Sequence, residues 1–192
     1  RANKHYCGMA FVCRICFHPI EKWGIIMTQT YFNDLEALEI AIRIEKRGQS
    51  FYTQATALAT TADTKAMLEE LAIQEEQHAI TFQEIYNELS GKKREFDDLY
   101  LYEPEVAAYL RAMAQSSIFP SDDRLQEVME KVVDIQEVLR IGIQAEKDSI
   151  LFYTEMIINA KFIEAKDAFR KLLKEEKKHL VELQTQLNTY NK

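Results

Sequence analysis

Residues 71–78 read Leu-Ala-Ile-Gln-Glu-Glu-Gln-His, and residues 172–179 read Leu-Leu-Lys-Glu-Glu-Lys-Lys-His. The two stretches align when the chain is shifted by 101 positions, and each carries a Glu followed three residues later by a His. Because residues three apart share one face of an α-helix, each pair places a carboxylate and an imidazole on the same side. The sequence therefore predicts two related helices with matching polar positions.

The same shift aligns the segments that precede these helices. Glu45-Lys46 falls on Glu146-Lys147, and Phe51-Tyr52-Thr53 falls on Phe152-Tyr153-Thr154. Apolar residues also recur at helical spacing before them, so each half of the chain is predicted to hold two helices. The chain is therefore interpreted as a duplicated helix pair.

Capping residues and breakers set the expected helix ends. We predict helices at about 33–60, 63–90, 134–160 and 162–187, with Asn33 or Asp34 and Asp134 as N-caps and Gly91 as a stop. The connection 91–133 is expected to be partly helical, with a first-turn Pro104 and a break at Pro120. Short loops within each pair and one long crossover predict an all-α, ferritin-like four-helix bundle.

Composition narrows the possible partners. The 192 residues include 24 Lys and Arg against 31 Asp and Glu, a formal net charge of −7. This balance argues against a nucleic-acid partner, which favours a basic face. No apolar run approaches the roughly 18 residues that suggest a membrane span. A cytoplasmic protein is the expectation.

The first 26 residues differ from the bundle expected over 27–192. All three cysteines, Cys7, Cys13 and Cys16, lie among them. A Cys-x-x-Cys turn can belong to a metal knuckle, but such sites normally use two turns and four ligands. A secretory signal is the weaker alternative, because the apolar stretch is short. We favour an N-terminal extension and leave open whether the cysteines bind metal.

Six ionisable residues recur at the shift where a bundle core would ordinarily be apolar. They are Glu45, Glu75, His78, Glu146, Glu176 and His179. One Glu from each of two helices and a Glu-x-x-His pair from each of the other two form the ligand set of di-iron and di-manganese carboxylate bundles. Four glutamates carry −4, which two divalent ions balance, whereas buried carboxylates alone would repel one another. We therefore predict a site for two metal ions, either iron or manganese.

Other polar residues near this set are interpreted differently. Glu70, Glu76 and Glu175 lack acidic counterparts at the shift (Glu175 falls opposite Gln74), so we expect them on exposed faces, with Glu39. Tyr52 and Tyr153 each follow a predicted ligand by seven residues, which is two helical turns. Each phenol can either donate a hydrogen bond to a metal ligand or pack in the core.

The motifs over about 28–187 resemble the rubrerythrin-like branch of the ferritin-like superfamily. The resemblance rests on Ile44-Glu45-Lys46, Glu75-Glu76-Gln77-His78, Glu146-Lys147-Asp148-Ser149 and Glu175-Glu176-Lys177-Lys178-His179. It implies that Glu75 and Glu176 bridge two metals, that Glu45 and Glu146 are terminal ligands, and that each His binds one ion.

Two departures from that family affect the expected activity. Rubrerythrins with a rubredoxin domain carry further Cys-x-x-Cys motifs, and this chain has one. They also have an additional carboxylate three residues before the third-helix Glu, where this chain has Ile143. That carboxylate is tied to the peroxidase mechanism, so the resemblance implies di-iron chemistry more firmly than peroxidase turnover.

Three functions remain open at this point. The leading hypothesis is a di-iron oxidoreductase that reacts with O2 or H2O2, receives electrons from an unknown external donor and forms a homodimer. The alternative is iron handling, as a ferroxidase, storage or delivery protein without peroxidase turnover. The third is a scaffold whose metal only stabilises the bundle.

Overall fold

The computed structural model describes residues 32–91, 101–115 and 118–191, which belong to the unit formed by residues 31–192. Within these ranges the regular secondary structure is helical, without a strand. The helices are α1 (Asp34–Ala55), α2 (Ala62–Gly91), α3 (Pro104–Gln115), α4 (Asp122–Lys131), α5 (Ile135–Asn159) and α6 (Ile163–Tyr190), with a 3-10 turn at Thr56–Leu58. The all-α prediction is confirmed.

Side-chain caps fix the starts of the first helix of each pair. The Asn33 side chain accepts hydrogen bonds from the backbone N–H groups of Leu35 and Glu36, and Asp134 accepts one from Glu137. Helix α1 ends at Ala55, about five residues before its predicted end near residue 60. There the Thr56 hydroxyl donates to the carbonyl oxygen of Thr53, which offers the backbone an alternative to continued helix.

The four long helices form the bundle in two pairs. Helix α1 packs along α2 and α5 packs along α6, while contacts of α2 with α6 and of α1 with α5 close the bundle. Aromatic and aliphatic side chains fill the interior. The largest fully buried apolar rings among the described residues are Phe32, Phe51, Phe82, Phe119, Phe152 and Phe169. This packing encloses the polar positions of the repeat within the bundle.

The crossover is tied to the bundle through the start of α1. The Asp34 carboxylate is fully buried and accepts hydrogen bonds from the Tyr102 hydroxyl and the backbone N–H groups of Lys161 and Phe162. Arg111 on α3 binds both carboxylate oxygens of Glu36. Because one buried carboxylate satisfies donors from two other segments, it fixes the α5–α6 turn and the crossover against α1.

The predicted extension at 1–26, with Cys7, Cys13 and Cys16, lies outside the described residues. Among the described helices, none is both long enough and apolar enough to cross a bilayer.

Candidate metal centre

The bundle brings the six repeated ionisable residues together at its centre. Glu45 lies on α1, Glu75 and His78 on α2, Glu146 on α5, and Glu176 and His179 on α6. The four carboxylates and His179 are at most 1% exposed, and His78 is 6% exposed. The two imidazole rings stack with centroids 5.4 Å apart and planes 16° apart. All four long helices therefore contribute to one buried polar cluster.

Oxygen and nitrogen atoms of this cluster fall into two overlapping groups. In each group, one potential ligand atom per residue lies within 4.8 Å of the others. The first group is Glu45, Glu75, His78 and Glu176, and the second is Glu75, Glu146, Glu176 and His179. Glu75 and Glu176 belong to both groups. The arrangement thus offers two positions for cations, with two carboxylates between them.

Several of these atoms lack the hydrogen bonds that buried polar groups normally make. Within the described part of the chain, no contact with hydrogen-bond geometry is found for Glu75 Oε1, His78 Nδ1, Glu146 Oε2, Glu176 Oε1 and His179 Nδ1, although several of these atoms lie close to one another. Unpaired buried carboxylates and imidazoles are unfavourable unless a cation or proton compensates them. Carboxylate and imidazole donors suit iron or manganese, so the residues present fit a pair of such ions.

The protonation of His78 shows how strongly the cluster attracts positive charge. Burial disfavours the charged ring, but His78 Nδ1 lies 3.0 Å from Glu176 Oε1 and 3.3 Å from Glu45 Oε2. These contacts outweigh burial and raise the pKa of His78 to about 9. Burial also lowers the pKa of His179, but the contacts of its ring with Glu146, Glu176 and Glu75 outweigh burial. The pKa of His179 is therefore raised.

The carboxylates respond in opposite ways according to their neighbours. Burial raises the pKa of Glu146 to about 8, and the charge of Glu176 adds to the effect. Burial also raises the pKa of Glu75, with Glu45 and Glu176 as further causes. For Glu176, burial is outweighed by contacts with both imidazoles, which lower its pKa to about 2. Without bound cations, the buried carboxylates and imidazoles therefore retain protons, which compensate part of the negative charge of the cluster.

The two tyrosines reach the cluster across the bundle. The Tyr52 hydroxyl on α1 donates to Glu146 Oε1 on α5 at 2.5 Å, and the Tyr153 hydroxyl on α5 donates to Glu45 Oε1 on α1. Both side chains are fully buried, and burial raises the pKa of each phenol, so both remain donors. Hydrogen bonding and core packing, the two alternatives considered for these residues, occur together.

Aromatic rings surround the tyrosines and close the cluster. Phe51 and Phe119 contact the Tyr52 ring edge-on, and Phe82 does the same to Tyr153. Gly48 allows this close packing, because a Cβ atom there would lie 3.0 Å from the Phe119 ring and 3.2 Å from the Glu75 carboxyl group. The crossover thus supplies one wall of the centre through Phe119.

One contact was not anticipated from the sequence. Gln74 Oε1 lies 2.8 Å from His179 Nε2, and the Gln74 amide nitrogen donates to Glu70 Oε1 at 2.7 Å. Glu70 and Glu76 are exposed and Glu175 is half-buried, while Glu39 accepts a hydrogen bond from Tyr86 at the surface. The available signal was the mismatch between Gln74 and Glu175 at otherwise matching positions of the repeat.

Comparisons with known proteins give a consistent result. The family profile described as rubrerythrin matches residues 36–187. A ferritin-like diiron-carboxylate protein from Thermotoga maritima has a similar solved structure, with 26% sequence identity and a TM-score of 0.61. The alignment covers 82% of this chain and 96% of that one. No curated protein sequence matches significantly. The predicted ferritin-like bundle is confirmed.

Proposed function

Because the chain belongs to the rubrerythrin family, we propose that its buried centre holds two iron ions and that the protein is an oxidoreductase reacting with O2 or H2O2. The observation that carries this proposal is the overlap of the two donor groups at Glu75 and Glu176. A family of di-metal proteins and a cluster with two adjoining cation positions point to the same chemistry. Manganese is the other ion that the donor set would accept.

Each of the six residues has a defined part in this proposal. Glu75 and Glu176 would bridge the ions, since each occurs in both donor groups. Glu45 and His78 would complete one position, and Glu146 and His179 the other. Four glutamates carry −4 and two neutral imidazoles carry none, so two divalent ions make the centre neutral. Neutrality matters because an unbalanced charge inside a bundle is strongly unfavourable.

The surrounding residues would orient the ligands and exclude water. When bound, the two ions supply electrons and Lewis acidity for reducing a small oxidant. Tyr52 donates to one oxygen of Glu146 and Tyr153 to one oxygen of Glu45, which limits rotation of those carboxylates. Their raised pKa values keep a proton on each phenol beside the centre. The electrons would come from an external donor.

A second candidate function rests on Ile143. This residue is buried on α5, one turn before Glu146, at the position where the resemblance leads one to expect a further carboxylate. Without that carboxylate, iron handling as a ferroxidase, storage or delivery protein is the alternative, with Fe²⁺ as substrate. Light scattering measures the size of the assembly and thereby tests the storage function. Iron storage requires a shell, whereas the expected homodimer could hold little iron.

Metal content and an optical titration test the proposal. Protein loaded anaerobically with Fe²⁺ is expected to contain about two iron ions per chain. When H2O2 is mixed with it, ferric absorption is expected to rise rapidly. Repeated cycles with a reductant would support turnover, whereas a single oxidation would favour iron handling. Two ions with no optical change would contradict the proposal and favour a structural metal.

Matched variants connect that result to the cluster. Glu75→Ala and His179→Ala are both expected to abolish the stoichiometry of two ions per chain. Glu75 belongs to both donor groups, so its loss affects both positions, whereas His179 supplies the imidazole of one position, so its loss leaves at most the other ion. Glu76→Ala is the control, since Glu76 is exposed and adjacent to Glu75 on the same helix. Unchanged iron content in both cluster variants would place the metal elsewhere.

A further inference from the structure

The two halves of the centre differ in the residue that precedes each bridging glutamate. Gln74 precedes Glu75, whereas Glu175 occupies the equivalent position before Glu176. Gln74 Oε1 lies 2.8 Å from His179 Nε2 on the opposite helix pair. The duplicated halves are therefore unequal at the first residues outside the proposed ligands.

The Gln74 contact places a proton on Nε2 of His179. A carboxylate can only accept hydrogen bonds, so the Gln74 amide nitrogen must face Glu70, to which it donates at 2.7 Å. The amide oxygen then faces His179 and accepts from Nε2–H. Nδ1 is left as the nitrogen directed at the cluster, 3.1 Å from both Glu75 and Glu176. The network holds the ring in the tautomer and orientation that a metal ligand requires.

His78 has a different environment on its outer side. The Glu175 carboxylate binds Lys178 Nζ at 2.7 Å, and no hydrogen bond from the described residues to His78 Nε2 corresponds to the one that Gln74 makes. His78 lines a cleft of about 440 Å³ between α2 and α6, whereas His179 does not line it. The Gln74 and Glu175 side of the cluster also borders this cleft. His78 is 6% exposed, whereas His179 is 0% exposed. One imidazole is thus held from outside and the other borders an open cleft.

Building on the proposed di-metal function, we propose that Gln74 is a positioning residue that makes the His179 metal position the tighter of the two. The His78 position, beside the cleft, is then the one at which metal exchanges with solvent. Outer hydrogen bonds to a ligating His typically change metal affinity by about 10–100-fold. Two binding steps separated by about that factor are therefore expected from a centre whose ligand sets are otherwise equivalent.

Anaerobic titration of the apo-protein with Co²⁺, followed by visible absorption and calorimetry, resolves the steps. Wild-type protein is expected to bind two ions in steps at least about tenfold apart. His179→Ala should remove the tight step and His78→Ala the weak one. Loss of the weak step in His179→Ala, or two equal steps in the wild type, would overturn the inference.

Variants of Gln74 test the positioning role directly. Gln74→Met keeps the side-chain length but removes the acceptor, and should weaken only the tight step by about 10–100-fold. Gln74→Glu keeps an acceptor oxygen and should retain most of the affinity. Gln77→Met is the matched control, because Gln77 lies on the same helix and lines the cleft without a side-chain hydrogen bond to either His. A tight step that Gln74→Met leaves unchanged contradicts the role.

A second readout needs no metal. In ¹⁵N NMR spectra of the apo-protein, the His179 Nε2 proton should be protected in the wild type and in Gln77→Met, and exchange rapidly in Gln74→Met. A purely structural effect would instead lower the melting temperature without this site-specific change.

The outcomes separate this inference from the proposed function. Unequal Co²⁺ steps in a protein whose iron form is inert to H2O2 would support the inference and contradict the oxidoreductase proposal. Equal steps in a protein that reacts with H2O2 would do the reverse.

Discussion

Removing the metal is expected to reverse the pH dependence of folding stability. Without metal, contacts with Glu176 and Glu45 outweigh burial and raise the pKa of His78 from 6.5 to about 9. A proton held more tightly by the folded than by the unfolded protein stabilises the fold fully below pH 6.5. That stabilisation is lost as the pH rises through 9. The apo-protein should therefore become less stable between pH 6.5 and 9.

The size of the effect follows from the two pKa values. The difference between 6.5 and about 9 corresponds to about 3 kcal/mol of unfolding free energy. Glu146 acts with the same sign, because burial and the charge of Glu176 raise its pKa from 4.5 to about 8, and the folded state keeps a proton that the unfolded state has lost. For a domain of this size, a loss of about 3 kcal/mol of unfolding free energy lowers the melting temperature by roughly 6–12 °C.

Metal binding should invert this trend. Bound carboxylates are ionised and bound imidazoles are neutral on the ligating nitrogen, so binding releases protons and strengthens as the pH rises. Since metal bound to the folded state adds to its stability, the loaded protein should melt at higher temperature at pH 8 than at pH 6.5.

Calorimetric melting of apo and loaded protein at several pH values checks both slopes. The apo-protein of His78→Asn should lose less stability over the same interval, while Glu76→Gln should follow the wild type. An apo-protein whose stability is flat or rises from pH 6.5 to 9 would refute the proton sharing inferred for the cluster.

Two further substitutions have defined expectations. Tyr153→Phe keeps the buried ring but removes the hydrogen-bond donor to Glu45, so the metal should bind about 10–100-fold more weakly while the fold is unchanged. Isothermal titration calorimetry with Mn²⁺ measures this affinity. Equal affinities of the variant and the wild type would contradict a role of this hydrogen bond in metal binding. Asp34→Ala leaves the Tyr102 hydroxyl and two backbone N–H groups without their acceptor and should cost about 3–5 kcal/mol in urea denaturation. Asp63→Ala, at an exposed position, serves as its comparison.

Much of the candidate centre could be predicted because the chain is duplicated. A shift of 101 positions aligns Glu75 with Glu176 and His78 with His179, and helical spacing places each pair on one face. Charged residues kept at both copies of a core position are hard to reconcile with simple packing, since burying them is unfavourable without compensation. That combination predicted a single polar cluster inside an all-α bundle, and the structure brings the predicted residues together there.

Gln74 shows why the surroundings of the cluster could not be predicted in the same way. Its partner His179 lies 105 positions away in sequence on another helix pair. Sequence periodicity gives the face of a helix on which a residue lies, but it does not give the axial offset between two helices or the rotamer of a long side chain. The repeat shows that Gln74 and Glu175 differ, but a mismatch does not by itself indicate which residue either side chain contacts.

The sequence by itself determined the helices, the duplication and the six ionisable residues that the bundle must enclose, because local spacing and the repeat are properties of the chain alone. Only the tertiary structure decided that Tyr52 reaches Glu146 and Tyr153 reaches Glu45 across the bundle. It also decided that one imidazole is held by an amide while the other borders a cleft. These features depend on how far each helix is shifted and rotated against its neighbours, which packing of the whole core sets.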